Sequence, residues 1–266
     1  MKILVLNCGS SSIKAGAVDT QAGVSIREMV VSRLGDEDET CLVEMGHWEE
    51  PKTVTANGHD AALDWALPRF VEELPGEISL DGVAHRVVHG GAEFSHPVRI
   101  DGEVEQKIEE LIDLAPLHNP ANLAGIRAAR ELLADLPHVA IFDTGFHATL
   151  PSRAKTYAIP PEIADEYGIE RYGFHGVSHD YVSGLAADYL ESDIRDLRLI
   201  TCHLGNGCSV AAVEYGSSME TSMGMTPLEG LVMGTRSGDI DPGAILHLLR
   251  QEGWDVDRVD DLLNRD

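Results

Sequence analysis

The chain has 266 residues, 43% of them apolar, enough for one large domain or two ordinary ones with a substantial core. Its 45 Asp and Glu outnumber 20 Lys and Arg, giving a formal net charge of −25, and such a surface repels nucleic-acid backbones. No run approaches the ~18 apolar residues of a membrane span, and the start, MKILVLNCGSSS, is too short in apolar residues for a signal peptide. A soluble, cytoplasmic protein with no nucleic-acid or membrane partner is therefore expected.

The first predicted element is a buried strand over 3–7 (ILVLN), followed by a Gly/Ser turn and a second strand, Ile13–Val18. Residues 20–80 are acidic, with a strand-like piece at Ser25–Ser32 and a helix near Asp60–Glu73. Val83–Val88 reads as a compact strand ending in His89-Gly90-Gly91. A helix is expected over 103–114, where Val104, Ile108, Leu111 and Ile112 share a face. Pro120 fits the first turn of another helix over about 121–135. Val139–Phe142 is a strand delivering Asp143 at its end. In the second half, a helix is expected over 178–190, then a strand at Leu197–Cys202 running into His203–Gly207, and a return strand at Cys208–Val213. The strand, Asn/Gly turn, strand pattern near residue 7 thus recurs near residue 206, a weak internal repeat. The tail, 242–266, reads as two short helices, with no capping residue after Asn264-Arg265-Asp266, so that the chain stops in mid-helix.

Four cysteines, Cys8, Cys41, Cys202 and Cys208, form no CxxC pair and no metal spacing, and are expected as buried free thiols. An acidic surface also repels ATP at long range, so a nucleotide site here needs local donors and a metal.

Several stretches could carry chemistry. Asn7 through Lys14 joins two strands with small residues and ends on a cation. Its N–H groups and hydroxyls could surround phosphate oxygens, although an ordinary Ser-rich hairpin looks the same. No GxxxxGK[ST] loop occurs. In His85–Gly91, Arg86 could clamp a carboxylate or phosphoryl group, or pair with one of the many acids. Asp143 sits where α/β sheets bind ligands, and could serve a Mg²⁺ ion, act as a base, or cap a turn. In Tyr172–His179, glycines permit close approach to a ligand, and His175 could donate to a phosphoryl oxygen. His179 reads as structural there, and Gly176 argues against a helical HxxxH zinc site. The Gly-rich stretch from Gly224 to Gly243 is long for a structureless loop, which makes Arg236 a second candidate for charge stabilisation.

Taken together these blocks resemble the acetate kinase family, within the actin-like and sugar-kinase-like phosphotransferases. The resemblance runs through NCGSSSIK (7–14), HRVVHGG (85–91), APLHNPAN (115–122), FDTGFHATLP (142–151), YGFHGVSH (172–179), CHLGNGCSV (202–210), ETSMGMTPLEGL (220–231) and MGTRSGDIDPG (233–243). It implies two actin-like (ribonuclease H-like) α/β domains around a cleft, residues 1–150 and an incomplete 151–266, in a homodimer. It implies a reversible transfer from ATP to acetate, giving acetyl phosphate and ADP, with Mg²⁺ (Mn²⁺ as an alternative). Propionate kinase is a neighbouring reading, and a catalytically incomplete piece of the family is another. By the same resemblance Asn7 helps bind the metal, and Ser10, Ser12 and Lys14 lie at the ATP phosphates. His203, Leu204, Gly205, Asn206 and Gly207 form a second phosphate hairpin, and Arg86 binds the substrate carboxylate. Asp143, His175 and Arg236 are catalytic, and Val88, Leu117, Phe174 and Pro227 form a small apolar pocket. Family members are longer, and their final third carries an adenosine-binding Gly-rich motif and a metal-binding glutamate that do not occur here.

Overall fold

The computed structural model describes residues 1–35, 39–76 and 78–265. They fall into two compact units, Met1–Gly90 with His96–Phe142, and Gly91–Ser95 with Asp143–Asp266.

The first unit contains β1 (Lys2–Cys8), β2 (Ile13–Asp19), β3 (Val24–Ser32), β4 (Thr40–Met45), β5 (Lys52–Thr55) and helix α1 (Gly58–Glu72). It continues with β6 (Gly82–Val87), β7 (Val98–Arg99), α2 (Gly102–Glu110), α3 (Asn119–Leu132) and β8 (His138–Phe142). The strands form one sheet in the order β5-β4-β3-β2-β1-β6-β8-β7. β1 to β5 form an antiparallel meander, whereas β6 runs parallel to β1 and β8 parallel to β6.

Alternation explains the core. Leu4, Leu6 and Cys8 of β1 and Ile13, Ala15 and Ala17 of β2 all turn to one buried face, where α1 and α3 supply Leu63, Leu67, Phe70 and Ala129. Each fully buried Leu or Phe contributes roughly 1.5–3 kcal/mol. α3 approaches β1 so closely that any side chain at Gly125 would overlap the Cys8 thiol. Asp101 caps α2 by accepting the Val104 N–H at 2.9 Å. The helix expected over 103–114 is shorter than its apolar pattern: α2 ends at Glu110, and Leu111–Leu114 tightens into a 3₁₀ turn.

The second unit opens with a 3₁₀ turn (Gly145–Thr149), then α4 (Ser152–Lys155), α5 (Pro161–Tyr167) and α6 (Gly176–Tyr189). β9 (Arg198–Leu204), β10 (Cys208–Glu214) and β11 (Ser217–Thr221) form a second, antiparallel sheet in the order β11-β10-β9. α7 (Pro242–Glu252) and α8 (Val256–Asn264) follow, each capped by an aspartate, Asp241 and Asp255. α8 ends at Asn264, with the Arg265 N–H on the Asp261 carbonyl (2.9 Å); Asp266, where a mid-helix stop was expected, lies outside the described residues.

Two expectations are corrected here. Gly176 does not keep the HxxxH segment out of a helix; it is the first residue of α6, because only glycine fits against the Asp143 carbonyl. Nor are all four thiols buried. Cys8 and Cys41 are, but Cys202 is exposed and Cys208 half-buried. α6 covers only one face of the second sheet, and Cys202 lies on the other, beside Ile200 (76% exposed) and Leu204 (71%). Among the described residues no helix is long and apolar enough to cross a membrane.

Candidate active site

In the first unit the expected residues gather at one end of β1 and β6. Asn7 and Lys14 are register partners across the β1–β2 hairpin. The turn between them is closed by the Gly9 N–H on the Ser12 carbonyl (2.8 Å), which leaves Ser10 and Lys14 exposed and Ser12 partly so. The His59 Nε2 lies 2.7 Å from the Gly9 carbonyl, and since a carbonyl only accepts, Nε2 carries the hydrogen. On neighbouring β6, Arg86 donates from Nη1 to the Asn7 Oδ1 at 3.2 Å.

Two amides of α3 fix the strand ends. Asn122 accepts the Val88 N–H (2.9 Å) and donates to the Cys8 carbonyl (2.6 Å), tying β6 to β1. Asn119 exchanges two 3.2 Å bonds with the His89 backbone. Val88 is thereby held in a buried position, whereas Leu117 stands 43% exposed in the turn before α3.

In the second unit Asp143 follows β8 directly and is buried. Its carbonyl accepts the Gly176 N–H at 2.8 Å, which anchors the start of α6. His175, at that start, takes the left-handed backbone (φ 58°). A non-glycine residue there is uncommon. His175 Nδ1 lies 2.8 Å from the Ser209 hydroxyl on β10, which is also 2.8 Å from His179 Nε2. His179 Nδ1 in turn meets the Thr201 hydroxyl at 2.8 Å. His203 stacks on His175, with ring centroids 3.9 Å apart, and bonds Ser178 through Nδ1 (2.9 Å).

Beneath them His147 donates from Nε2 to the Phe174 carbonyl (3.0 Å) and accepts the Ser218 hydroxyl at Nδ1 (2.8 Å). Burial pushes His147 and His179 down to about 4, so both are neutral at pH 7. Phe174 is fully buried, its backbone fixed by this bond. Gly173 is required, since a Cβ would come 2.7 Å from the His147 ring.

The β9–β10 turn is closed by the Gly205 N–H on the Gly207 carbonyl (3.1 Å). A Cβ on Gly207 would lie 3.5 Å from both His175 Nε2 and Arg236 Nη1, so imidazole, guanidinium and turn converge on one spot. The loop carrying Arg236 docks there through the Gly234 N–H on the Asn206 carbonyl (3.1 Å). Arg236 donates to the Pro227 carbonyl (3.3 Å) and lies 3.9 Å from the Met233 sulfur. Among the described residues no carboxylate pairs with it, and burial lowers its pKa. A partly desolvated guanidinium with no carboxylate partner among the described residues has the chemistry to receive an anion.

Each unit thus assembles its own set: Asn7, Lys14 and Arg86 in the first, and His175, Gly207, Arg236 and Pro227 in the second. Leu204 points its side chain to solvent, so any ligand contact at that position is through backbone. The supporting residues His59, Ser209, His147 and Ser218 were not singled out from sequence. Asn119 and Asn122 had a faint signal, two amides three residues apart at a helix start. Among the described residues no group of three or more His, Cys, Asp or Glu could cage a metal. Oxygen donors such as the Asn7 amide and the Asp143 carboxylate are of the type that suits a hard, partly hydrated cation.

The profile of the acetokinase family matches residues 2–266. The chain is 48% identical over 269 residues to the acetate kinase of Caldicellulosiruptor bescii and 47% to that of Thermotoga maritima, covering all of this chain and 67% of each relative. Among solved structures it is similar to Porphyromonas gingivalis acetate kinase (TM-score 0.88, 42% identity, 99% of this chain and 67% of the other). It is also similar to a Francisella tularensis propionate kinase (TM-score 0.89, 40%, 99% and 68%). The chain spans about two thirds of the length of these relatives. The mixed α/β fold of the actin-like kind, expected from the motifs, is borne out by these matches. From the family match over residues 2–266 and the 48% identity along the whole of this chain, the chain belongs to the acetokinase family.

Proposed function

We propose that the chain transfers the γ-phosphoryl group of Mg-ATP to acetate, reversibly, giving ADP and acetyl phosphate. The observation that carries this reading is the convergence of His175 and Arg236 on the Gly207 turn, with Arg236 half-buried and, among the described residues, lacking a carboxylate partner. Such a site binds the equatorial oxygens of a phosphoryl group in transfer.

The acceptor needs no strong base, because a carboxylate of pKa near 4 is already ionised at pH 7. The difficulty is bringing one anion to another, and the residues answer it with positive charge. Arg86, oriented by Asn7, is assigned the acceptor carboxylate. Arg236 and His175 are assigned the transferring group. Ser10, Ser12 and Lys14 in one turn, and the backbone of His203–Gly207 in the other, are assigned the nucleotide phosphates. Asn7 and Asp143 would hold the divalent cation, in part through water, and Asp143 organises it rather than moving a proton. When bound, Mg²⁺ neutralises charge on the phosphate chain. Val88, Leu117, Phe174 and Pro227 are assigned the methyl group. One extra methylene changes such binding by only about 1–3 kcal/mol, so propionate is the second reading, favoured by the likeness to a propionate kinase. A homodimer is proposed on family grounds alone.

The test is to supply Mg-ATP with acetate or propionate, trap acyl phosphate with hydroxylamine, and run Arg236→Ala alongside. Product with acetate that vanishes in the variant supports the reading. Folded protein that makes no acyl phosphate from either acid overturns it.

A further inference from the structure

Residues 222–241 carry no helix or strand, yet they bring Pro227 and Arg236 to the turn at Gly207. Something must fix a stretch of that length. The hub is the carboxylate of Glu229, a residue to which no role has been assigned above. One oxygen accepts the hydroxyl of Tyr157, and the other accepts Arg171 Nη2 at 2.6 Å. The Tyr157 oxygen accepts the Met225 N–H (2.9 Å). Arg171 Nη1 donates to the carbonyls of Thr221 and Met223, both at 3.1 Å, and its Nε to that of Ala154 (3.1 Å). Gly224 is pressed so tightly into this knot that a side chain there would overlap both Glu229 and the Tyr157 hydroxyl.

Glu229 and Tyr157 therefore pin the chain on either side of Thr226-Pro227-Leu228. Proline has a fixed φ and no N–H, so a three-residue bridge held at both ends leaves Pro227 little freedom. Its carbonyl is what Arg236 Nη1 meets at 3.3 Å. A half-buried ion pair of this kind is a weak source of stability, because desolvation offsets its attraction. Its value lies in specifying one arrangement. Burial and Glu229 both raise the Tyr157 pKa, so its phenol remains a donor throughout the neutral range.

We propose that Arg171, Glu229 and Tyr157 are positioning residues that hold the Pro227 loop, and through its carbonyl set where Arg236 presents its guanidinium to a phosphoryl group. The inference rests on the reading of Arg236 as the phosphoryl-binding cation, and the experiment separates the two. The 266-residue chain is treated with phenylglyoxal, and the modification rate of each arginine is followed by peptide mass spectrometry. Arg195 and Arg198, which stand 80% and 72% exposed, serve as internal standards. In the unaltered chain Arg236 reacts more slowly than either. In Tyr157→Phe and in Glu229→Gln its rate rises about threefold or more, while the standards and the far-ultraviolet circular dichroism are unchanged. An unchanged Arg236 rate in folded Tyr157→Phe, the milder variant, overturns the clamp. Inorganic phosphate as the probe tests the reading beneath it: phosphate slows Arg236 modification in the unaltered chain and no longer does so in Glu229→Gln. If phosphate gives no protection in either protein, the phosphoryl role of Arg236 falls, and the clamp stands or falls on the rates alone. Where acyl phosphate is formed, Tyr157→Phe lowers kcat with KM for Mg-ATP unchanged, and causes no further loss on an Arg236→Ala background. Additive losses there overturn the coupling.

Discussion

The β1–β2 and β9–β10 hairpins present turns of the same chemistry on sheets packed in different ways. β1 lies in the interior of its sheet, and alternate residues of both strands of the first hairpin are sealed against helices. β9 is the edge of a three-stranded sheet, with Ile200 and Leu204 in solvent. Its inner face is secured by polar bonds, Thr201 and Ser209 to the histidines of the α6 region, and its turn by the loop docked through Gly234. Apolar packing dominates behind the first turn, with the Asn122 and His59 bonds beside it, and hydrogen bonds dominate behind the second. The two should therefore fail under different insults.

The largest contrast is in stability. Leu6→Ala, at a position 1% exposed in the first sheet, is expected to cost about 2–5 kcal/mol. Ile200→Ala in the second is expected to stay within about 0.5 kcal/mol. Urea unfolding monitored by circular dichroism measures both, and equal losses would end the comparison. Next comes chemistry at the second turn. Arg236→Ala should lower acyl phosphate formation about 10²–10³-fold, a loss of roughly 2.7–4 kcal/mol by analogy with removal of an oxyanion donor.

Ser209→Ala sharpens the polar half of the argument. It leaves the buried His179 Nε2 without its hydroxyl partner, at about 1–3 kcal/mol, and removes the hydroxyl that meets His175 Nδ1. The unfolding midpoint in urea should fall accordingly, with kcat falling in parallel.

The most gradual effect is with pH. His147 and His179 stay neutral in the folded protein down to about 4, while the same imidazoles in the unfolded chain take up protons below about 6.5. Their contribution is complete above pH 6.5 and is lost as pH falls toward 4. The thermal midpoint should decline across that window, and His147→Gln should flatten the decline.

Much of this molecule is legible in its residues, for reasons that differ by element. ILVLN and Leu197–Cys202 announce strands because buried strands need short apolar runs. Strand ends and Gly-rich turns make Arg86, His175 and Arg236 candidates for binding an anion, and Asn7 joins them through the family resemblance. Other features are set by contacts between distant residues. Gly176 begins a helix against its own propensity because the Asp143 carbonyl leaves no room for a side chain. The apolar pattern of 103–114 does not reveal that Leu111 leaves the α-helix. Cys202 and Val210 alternate as strand residues should, but alternation does not say which face receives a helix. The clamp joins Tyr157 and Arg171 to Glu229 across 72 and 58 residues, a separation at which no local pattern can speak.

The open edge of β9 also governs how the protein behaves in concentrated solution. Among the described residues no strand pairs with the outer side of β9, and its backbone beside Ile200 and Leu204 offers a template for another strand. Pairing through this edge is opposed by mutual repulsion from an excess of 25 negative charges. That barrier reaches about 10 Å at 0.1 M salt and only about 3 Å at 1 M. Added salt therefore removes the protection while leaving the sticky edge in place, and light scattering at high protein concentration should climb with ionic strength. Dilute buffer of low ionic strength, rather than brine, is the medium expected to suppress pairing through this edge.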